Sequence, residues 1–194
     1  MARIPLAPPA TPLARIAALV SRRRYGAVLE PLAAVSHNPR VMLTYARYEG
    51  SVARWNRVDQ HLKTLAVMAS AASIGCAWCM DFGYWVAHTE GLDPAKLRDV
   101  PRWRDSDAYS PLERKVMAYA EAMSGDPATV TDEMVAGLRE DLDDAQLVEL
   151  TMMVAVENSR ARFNSALGLT GQGFTDRCEL PAAASPSSAA PALP

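Results

Sequence analysis

Cys76 and Cys79 lie in the segment Gly75-Cys76-Ala77-Trp78-Cys79-Met80-Asp81-Phe82-Gly83, a C-x-x-C pair set where a long apolar run breaks at a glycine and a new helix is expected to begin. Residues three apart share a helix face, so the two sulfurs can come within bonding distance. A helix start adds unpaired N–H groups and the positive end of the dipole, which favour thiolate over thiol. The chemistry implied is thiol–disulfide redox. A structural zinc site would need a second ligand pair. His37, His61 and His88 are scattered, and there is no second C-x-x-C. A thioredoxin-like oxidoreductase would place the motif beside a βαβ unit, which this chain lacks. No metal and no cofactor are therefore expected, and Cys178 reads as a free thiol.

Three cysteines among 194 residues are too few for a secreted disulfide scaffold, so a reducing, cytoplasmic setting is expected. With 49% hydrophobic residues the chain can fill the core of one domain. A net charge of −2 gives no reason to expect nucleic acid as a partner. No apolar run approaches the ~20 residues a bilayer crossing needs, so no membrane is expected either. Arg22, Arg23 and Arg24 follow an apolar stretch instead of preceding it, the wrong order for a secretory signal, and read as a solvated helix end. Residues 1–12, broken by Pro5, Pro8, Pro9 and Pro12, are expected to be loose. So is the Ala/Pro/Ser tail 181–194, which leaves 13–180 as the folded domain.

The elements that must hold the cysteines announce themselves by caps. Asn38-Pro39 predicts a helix to about Trp55, and Asp59 predicts one ending at Gly75. The cysteine helix then runs to Gly91. Asp93-Pro94 starts a short helix ending near Val100. Ser110-Pro111-Leu112-Glu113 is a capping box for a helix ending at Gly125. Thr131-Asp132 opens another short helix, and Asp143-x-x-Gln146 opens a long one to Gly168. Alternating β-branched runs are absent, so the fold class is all-α. Residues 59–65 and 144–150 echo each other in their acidic start and leucine spacing, which suggests a duplicated helical unit.

Residues 59–79, Asp-Gln-His-Leu-Lys-Thr-Leu-Ala-Val-Met-Ala-Ser-Ala-Ala-Ser-Ile-Gly-Cys-Ala-Trp-Cys, resemble the signature of the carboxymuconolactone decarboxylase-like family, and within it the AhpD-like alkylhydroperoxidase branch. The resemblance extends more weakly from about residue 30 to 170. It implies an all-α helical bundle with a repeated unit, assembly into a homo-oligomer (trimer or hexamer), and thiol-dependent peroxidase activity through the cysteine pair. The partners it implies are an organic hydroperoxide or hydrogen peroxide and an external dithiol reductant. By the same resemblance Cys79 attacks the peroxide and Cys76 resolves the sulfenic acid, although position at the helix start favours Cys76 as the more acidic thiol.

The positions that carry the branch's glutamate and two histidines are Thr64, Trp78 and Gly83 here, so the usual proton relay is missing. His61, one turn before Thr64, is the candidate replacement base, with a plain surface histidine as the alternative. Asp81 is the other candidate near the thiols, its simpler reading being stabilisation of the first helical turn. Trp78, Phe82, Tyr84 and Trp85 either pack or line an apolar approach for the peroxide. Glu149 is read as structural or surface. Two other functions fit the same resemblance. Lactone decarboxylation needs no cysteine pair, and a non-catalytic oligomer could sense oxidants through a disulfide that does not turn over.

Overall fold

In the computed structural model, which describes residues 1–7 and 9–178, the chain is helical, and no strand occurs among the described residues. The helices are α1 (Pro12–Tyr25), α2 (Glu30–Val35), α3 (Pro39–Val52), α4 (Gln60–Ile74), α5 (Ala77–Thr89), α6 (Pro94–Asp99), α7 (Pro111–Ser124), α8 (Asp132–Arg139) and α9 (Asp144–Leu167). Short 3-10 turns occupy Val100–Asp105 and Thr175–Arg177.

Capping chemistry sets the boundaries. Glu113 N–H donates to Ser110 Oγ at 3.3 Å while Ser110 N–H donates back to Glu113 Oε2 at 2.7 Å. Asp143 and Gln146 make the same reciprocal pair at the head of α9. Asp59 accepts from His61 N–H and Leu62 N–H at the head of α4. Because Asp143, not Asp144, is the cap, the echo between 59–65 and 144–150 runs one residue out of step with the caps.

α4 is the central helix, apolar almost all round, and it packs against α5, α7 and α9. Leu65, Ala66, Met68 and Ala69 of α4 meet Ala87 of α5, Val116, Met117 and Ala120 of α7, and Leu150 and Val154 of α9. Each fully buried leucine or valine here contributes on the order of 1.5–3 kcal/mol. α3 stops at Val52, short of Trp55, because the next residues serve another purpose. Glu149 of α9 accepts from Arg57 N–H and Val58 N–H at 2.9 and 3.2 Å, and Lys63 Nζ donates to the Trp55 carbonyl. Lys63 and Glu149, both buried, are themselves 3.2 Å apart. Glu149 is therefore a structural residue.

The expectation of a loose amino terminus does not hold for residues 1–7. Arg3 N–H donates to the Leu167 carbonyl at 2.8 Å, and its guanidinium donates to the Ser165 and Ala166 carbonyls at the end of α9. His37 Nε2 donates to the Pro5 carbonyl at 2.8 Å. Pro12 breaks nothing, since it begins α1 behind the Thr11 cap, where a proline loses no hydrogen bond. Arg22, Arg23 and Arg24 form the last turn of α1, as a solvated helix end should. The tail 181–194 lies outside the described residues. No described helix is long and apolar enough to cross a membrane.

Candidate functional site

Gly75 ends α4 at φ +78°, a left-handed turn that a side chain disfavours, and the chain re-enters a helix one residue later. Cys76 is the cap of α5, its Sγ accepting from Cys79 N–H at 3.2 Å. The two cysteines are joined as a disulfide, with Cα atoms 5.2 Å apart. The turn that brings the sulfurs together also aims an unpaired helix N–H at one of them.

The pair sits in a second small core. Ala71 and Ile74 come from α4, Trp78 and Phe82 from α5, Ala161 and Leu167 from α9, and Leu169 from the segment beyond. Ala2 and Leu6 of the amino-terminal segment pack against it. Cys76 is 1% exposed and Cys79 7% exposed, so Cys79 is the less buried residue of the pair. Hydrogen bonds of Arg3 and Pro5 tie this segment to α9 and to His37.

Asn164 of α9, itself 1% exposed, points its amide nitrogen at both sulfurs, 3.4 Å from Cys79 Sγ and 3.9 Å from Cys76 Sγ. Its Oδ1 is buried and has no partner among the described residues. Sequence reading missed this residue. A signal existed: Leu150, Val154, Glu157, Ala161 and Asn164 follow the spacing of one buried helix face, and two of the five are polar. Glu157 is buried too; burial raises its carboxyl to about 7 against the lowering pull of Arg160, which donates to its Oε2 at 3.4 Å and also pairs with Glu49 of α3.

Asp81 is occupied by the backbone of the segment that follows α9. Its Oδ2 accepts from Gln172 N–H at 2.7 Å and its Oδ1 from Thr175 N–H at 2.8 Å. Burial pushes its carboxyl up, but the amides of Thr175, Gln172 and Phe174 outweigh burial and hold it below the ordinary carboxylate range. Asp81 thus fastens the segment after α9 onto α5. Gln172 in that segment accepts from Trp78 Nε1 at 3.1 Å and from Glu30 N–H at 2.9 Å, and donates to the Val28 carbonyl. Trp78, between the cysteines, is fixed by this bond and by stacking on Phe82 with centroids 5.0 Å apart. Tyr25, Trp85 and Phe174 pack around Phe82, so these aromatics form one cluster beside the cysteines.

His61 is a correction. It is exposed on the first turn of α4, whereas the cysteines lie beyond the last turn. The 15 residues of α4 put about 22 Å between the two ends. Thr64 Oγ1 donates instead to Glu90 at the far end of α5, and Gly83 lies against Met68. An open basin of about 610 Å³ lined by Arg54, Trp55, Arg57, Asp59 and Lys63 shares that remote end. Cys178 is a free, half-buried thiol, pushed up by burial and by the Asp81 charge. Among the described residues, no three His, Cys, Asp or Glu side chains converge as metal ligands would.

Residues 39–122 match the carboxymuconolactone decarboxylase family. The chain is 32% identical over 183 residues to the uncharacterized protein YnjA of Escherichia coli (strain K12), covering 93% of this chain and 95% of that one. Several solved structures share the fold. An uncharacterized peroxidase-related protein of Ralstonia eutropha JMP134, described as an alkylhydroperoxidase AhpD core, superposes with a TM-score of 0.79 at 17% identity, covering 93% of this chain and 98% of that one. The debrominase Bmp8 in complex with 2,3,4-tribromopyrrole gives 0.79 at 18% identity, covering 92% and 97%.

Proposed function

Since the chain belongs to the carboxymuconolactone decarboxylase family and carries a bonded cysteine pair at a helix start, we propose that it is a thiol-dependent peroxidase of the AhpD-like kind. The observation that carries this is the disulfide itself, with a hydrogen-bond donor on each sulfur: Cys79 N–H on Cys76 and the Asn164 amide on Cys79. Donors of this kind stabilise a thiolate once the bond opens.

Cys79, the less buried cysteine, attacks the terminal oxygen of a hydroperoxide. Its electron pair forms the S–O bond, the O–O bond breaks, and the leaving alkoxide takes a proton to depart as alcohol, or as water from hydrogen peroxide. The Cys79 sulfenic acid condenses with the Cys76 thiol, expelling water and forming the disulfide before further oxidation can occur. An external dithiol then returns two electrons and two protons by exchange through a mixed disulfide. A dithiol supply of this kind suits a reducing compartment such as the cytoplasm. With Thr64, Trp78 and Gly83 at the relay positions, protons reach the site from solvent, and turnover is slower than with a built-in relay.

The deciding experiment treats reduced protein with one equivalent of cumene hydroperoxide and follows its mass. Loss of two hydrogens, localised to the peptide holding Cys76 and Cys79, is expected, with C79S inert and C76S arrested at a trappable sulfenic acid. Protein that stays reduced, or C76S/C79S protein that still turns over a muconolactone-type substrate, would overturn the peroxidase assignment.

A further inference from the structure

Asn164 faces the sulfurs with a donor and keeps an acceptor without a partner. A disulfide has no hydrogen to offer, so only the N–H side of the amide can meet it usefully, and that is the side presented at 3.4 Å to Cys79 Sγ. Oδ1 is left buried and unpaired while the cysteines are joined, an arrangement that costs free energy. Reduction changes what the sulfurs can do. A thiol can donate to Oδ1, and a thiolate can accept from Nδ2 more strongly than a disulfide sulfur does. Both halves of one side chain then find partners in the dithiol state.

We propose that Asn164 is a residue of the reacting site that biases the Cys76–Cys79 couple toward the dithiol, making its disulfide readily reduced by an external thiol. The proposal takes from the peroxidase assignment only that the pair cycles. The balanced step is attack of the external dithiol on the Cys76–Cys79 bond, release of the two cysteines with two electrons and two protons, and formation of the reductant's own disulfide. One of the two protons is surrendered where Cys79 remains a thiolate against the Asn164 amide.

Among the described residues, the other side chains around the pair are not placed to play this part. The neighbours from α4, Ala71 and Ile74, and from the following segment, Leu169, carry no charge. The charged groups on the surrounding elements are engaged: Asp81 of α5 by the amides of Gln172 and Thr175, Glu157 of α9 by Arg160, and Arg3 of the amino-terminal segment by the Ser165 and Ala166 carbonyls. His61 and Lys63 are at the far end of α4, and His88 and Glu90 at the far end of α5.

The test equilibrates the full chain in glutathione buffers of graded ratio and measures the reduced fraction, with no peroxide present. In N164L, which fills similar space without polar atoms, the equilibrium constant for reduction is expected to fall about tenfold, equivalent to ~30 mV for two electrons. The oxidised form of N164L is expected to melt no lower than wild type, since the unpaired oxygen is gone. The second measurement is cysteine alkylation by iodoacetamide in reduced N164L and N164V, neither of which adds a charge. The alkylation profile should move to higher pH than in wild type because the thiolate has lost its donor, a shift that a purely packing role for Asn164 would not produce. Equilibrium constants within twofold of wild type in N164L, or an unmoved alkylation profile in both variants, would overturn the proposal. A shifted constant in protein that consumes no peroxide would leave it standing and remove the peroxidase assignment instead.

Discussion

Replacing Asp81 tests whether the acid beside the cysteines is a catalytic group or a fastener. Its carboxylate accepts two short backbone hydrogen bonds, 2.7 Å from Gln172 and 2.8 Å from Thr175. Hydrogen bonds to a charged group contribute roughly 1.5–3 kcal/mol each. Asp81 is partly exposed, so the freed amides recover some solvation, and the lower end applies: D81A should lose about 3 kcal/mol. For a domain of this size that lowers the melting temperature by about 6–12 °C. D81N keeps one acceptor and should lose about half as much. The sign of the pH effect follows from the carboxyl lying below its ordinary range in the folded protein. Its contribution is whole above the unfolded carboxylate value, about 4, and is lost as pH falls through the lower folded value. Wild type should therefore shed this stability on acidification while D81N shows a flatter acid limb. Circular dichroism melts at neutral pH and at steps down to about pH 2 give both readings. If D81N melts like wild type at every pH but its peroxide reduction drops a hundredfold, the fastener account is wrong and Asp81 takes part in proton transfer.

H61A should reduce peroxide within about twofold of wild type and alter stability by no more than about 0.5 kcal/mol, because the ring is exposed at the wrong end of α4; a hundredfold loss of rate would restore it as the base. E149A should cost about 3 kcal/mol in a urea titration, since it strands the buried Lys63 charge and two amides. Glu149 is raised by burial but lowered further by the Arg57 and Val58 amides and Lys63, so this stability too should fade as pH drops through its depressed folded value. An E149A midpoint equal to wild type would show that the pair is only a contact.

What the sequence displayed well was everything decided within a few residues. Ser110 with Glu113, Asp143 with Gln146, and Gly75 before Cys76 fix helix ends by bonds that never leave the local turn, and those ends fall where the pattern puts them. The all-α class follows from the same signals. The disulfide was equally visible, since Cys76 and Cys79 need only one turn to meet. Contacts between distant residues were not. Asn164 reaches the sulfurs from another helix, and the partners of Asp81 come from beyond the end of α9. His61 shows a different failure. Helical spacing states which face a residue occupies and says nothing of how far along the axis it sits relative to a site at the other end. Segment 1–7 reads as loose because proline and small residues signal poor helix formation, while its anchorage depends on α9 carbonyls that only the folded chain supplies.

The bridge between Cys76 and Cys79 encloses a ring of backbone that is closed whether or not the sulfurs are joined, because the Met80 N–H to Cys76 carbonyl bond of α5 already spans it. A crosslink earns its stabilising power from the freedom it removes in the unfolded chain, and so short a loop has little to remove. As a crosslink the bridge therefore adds little to the stability of the fold. What separates the two redox states is local, namely which partners the buried Asn164 amide can find, so the energy of the couple is set at the sulfurs and not by tension in the frame.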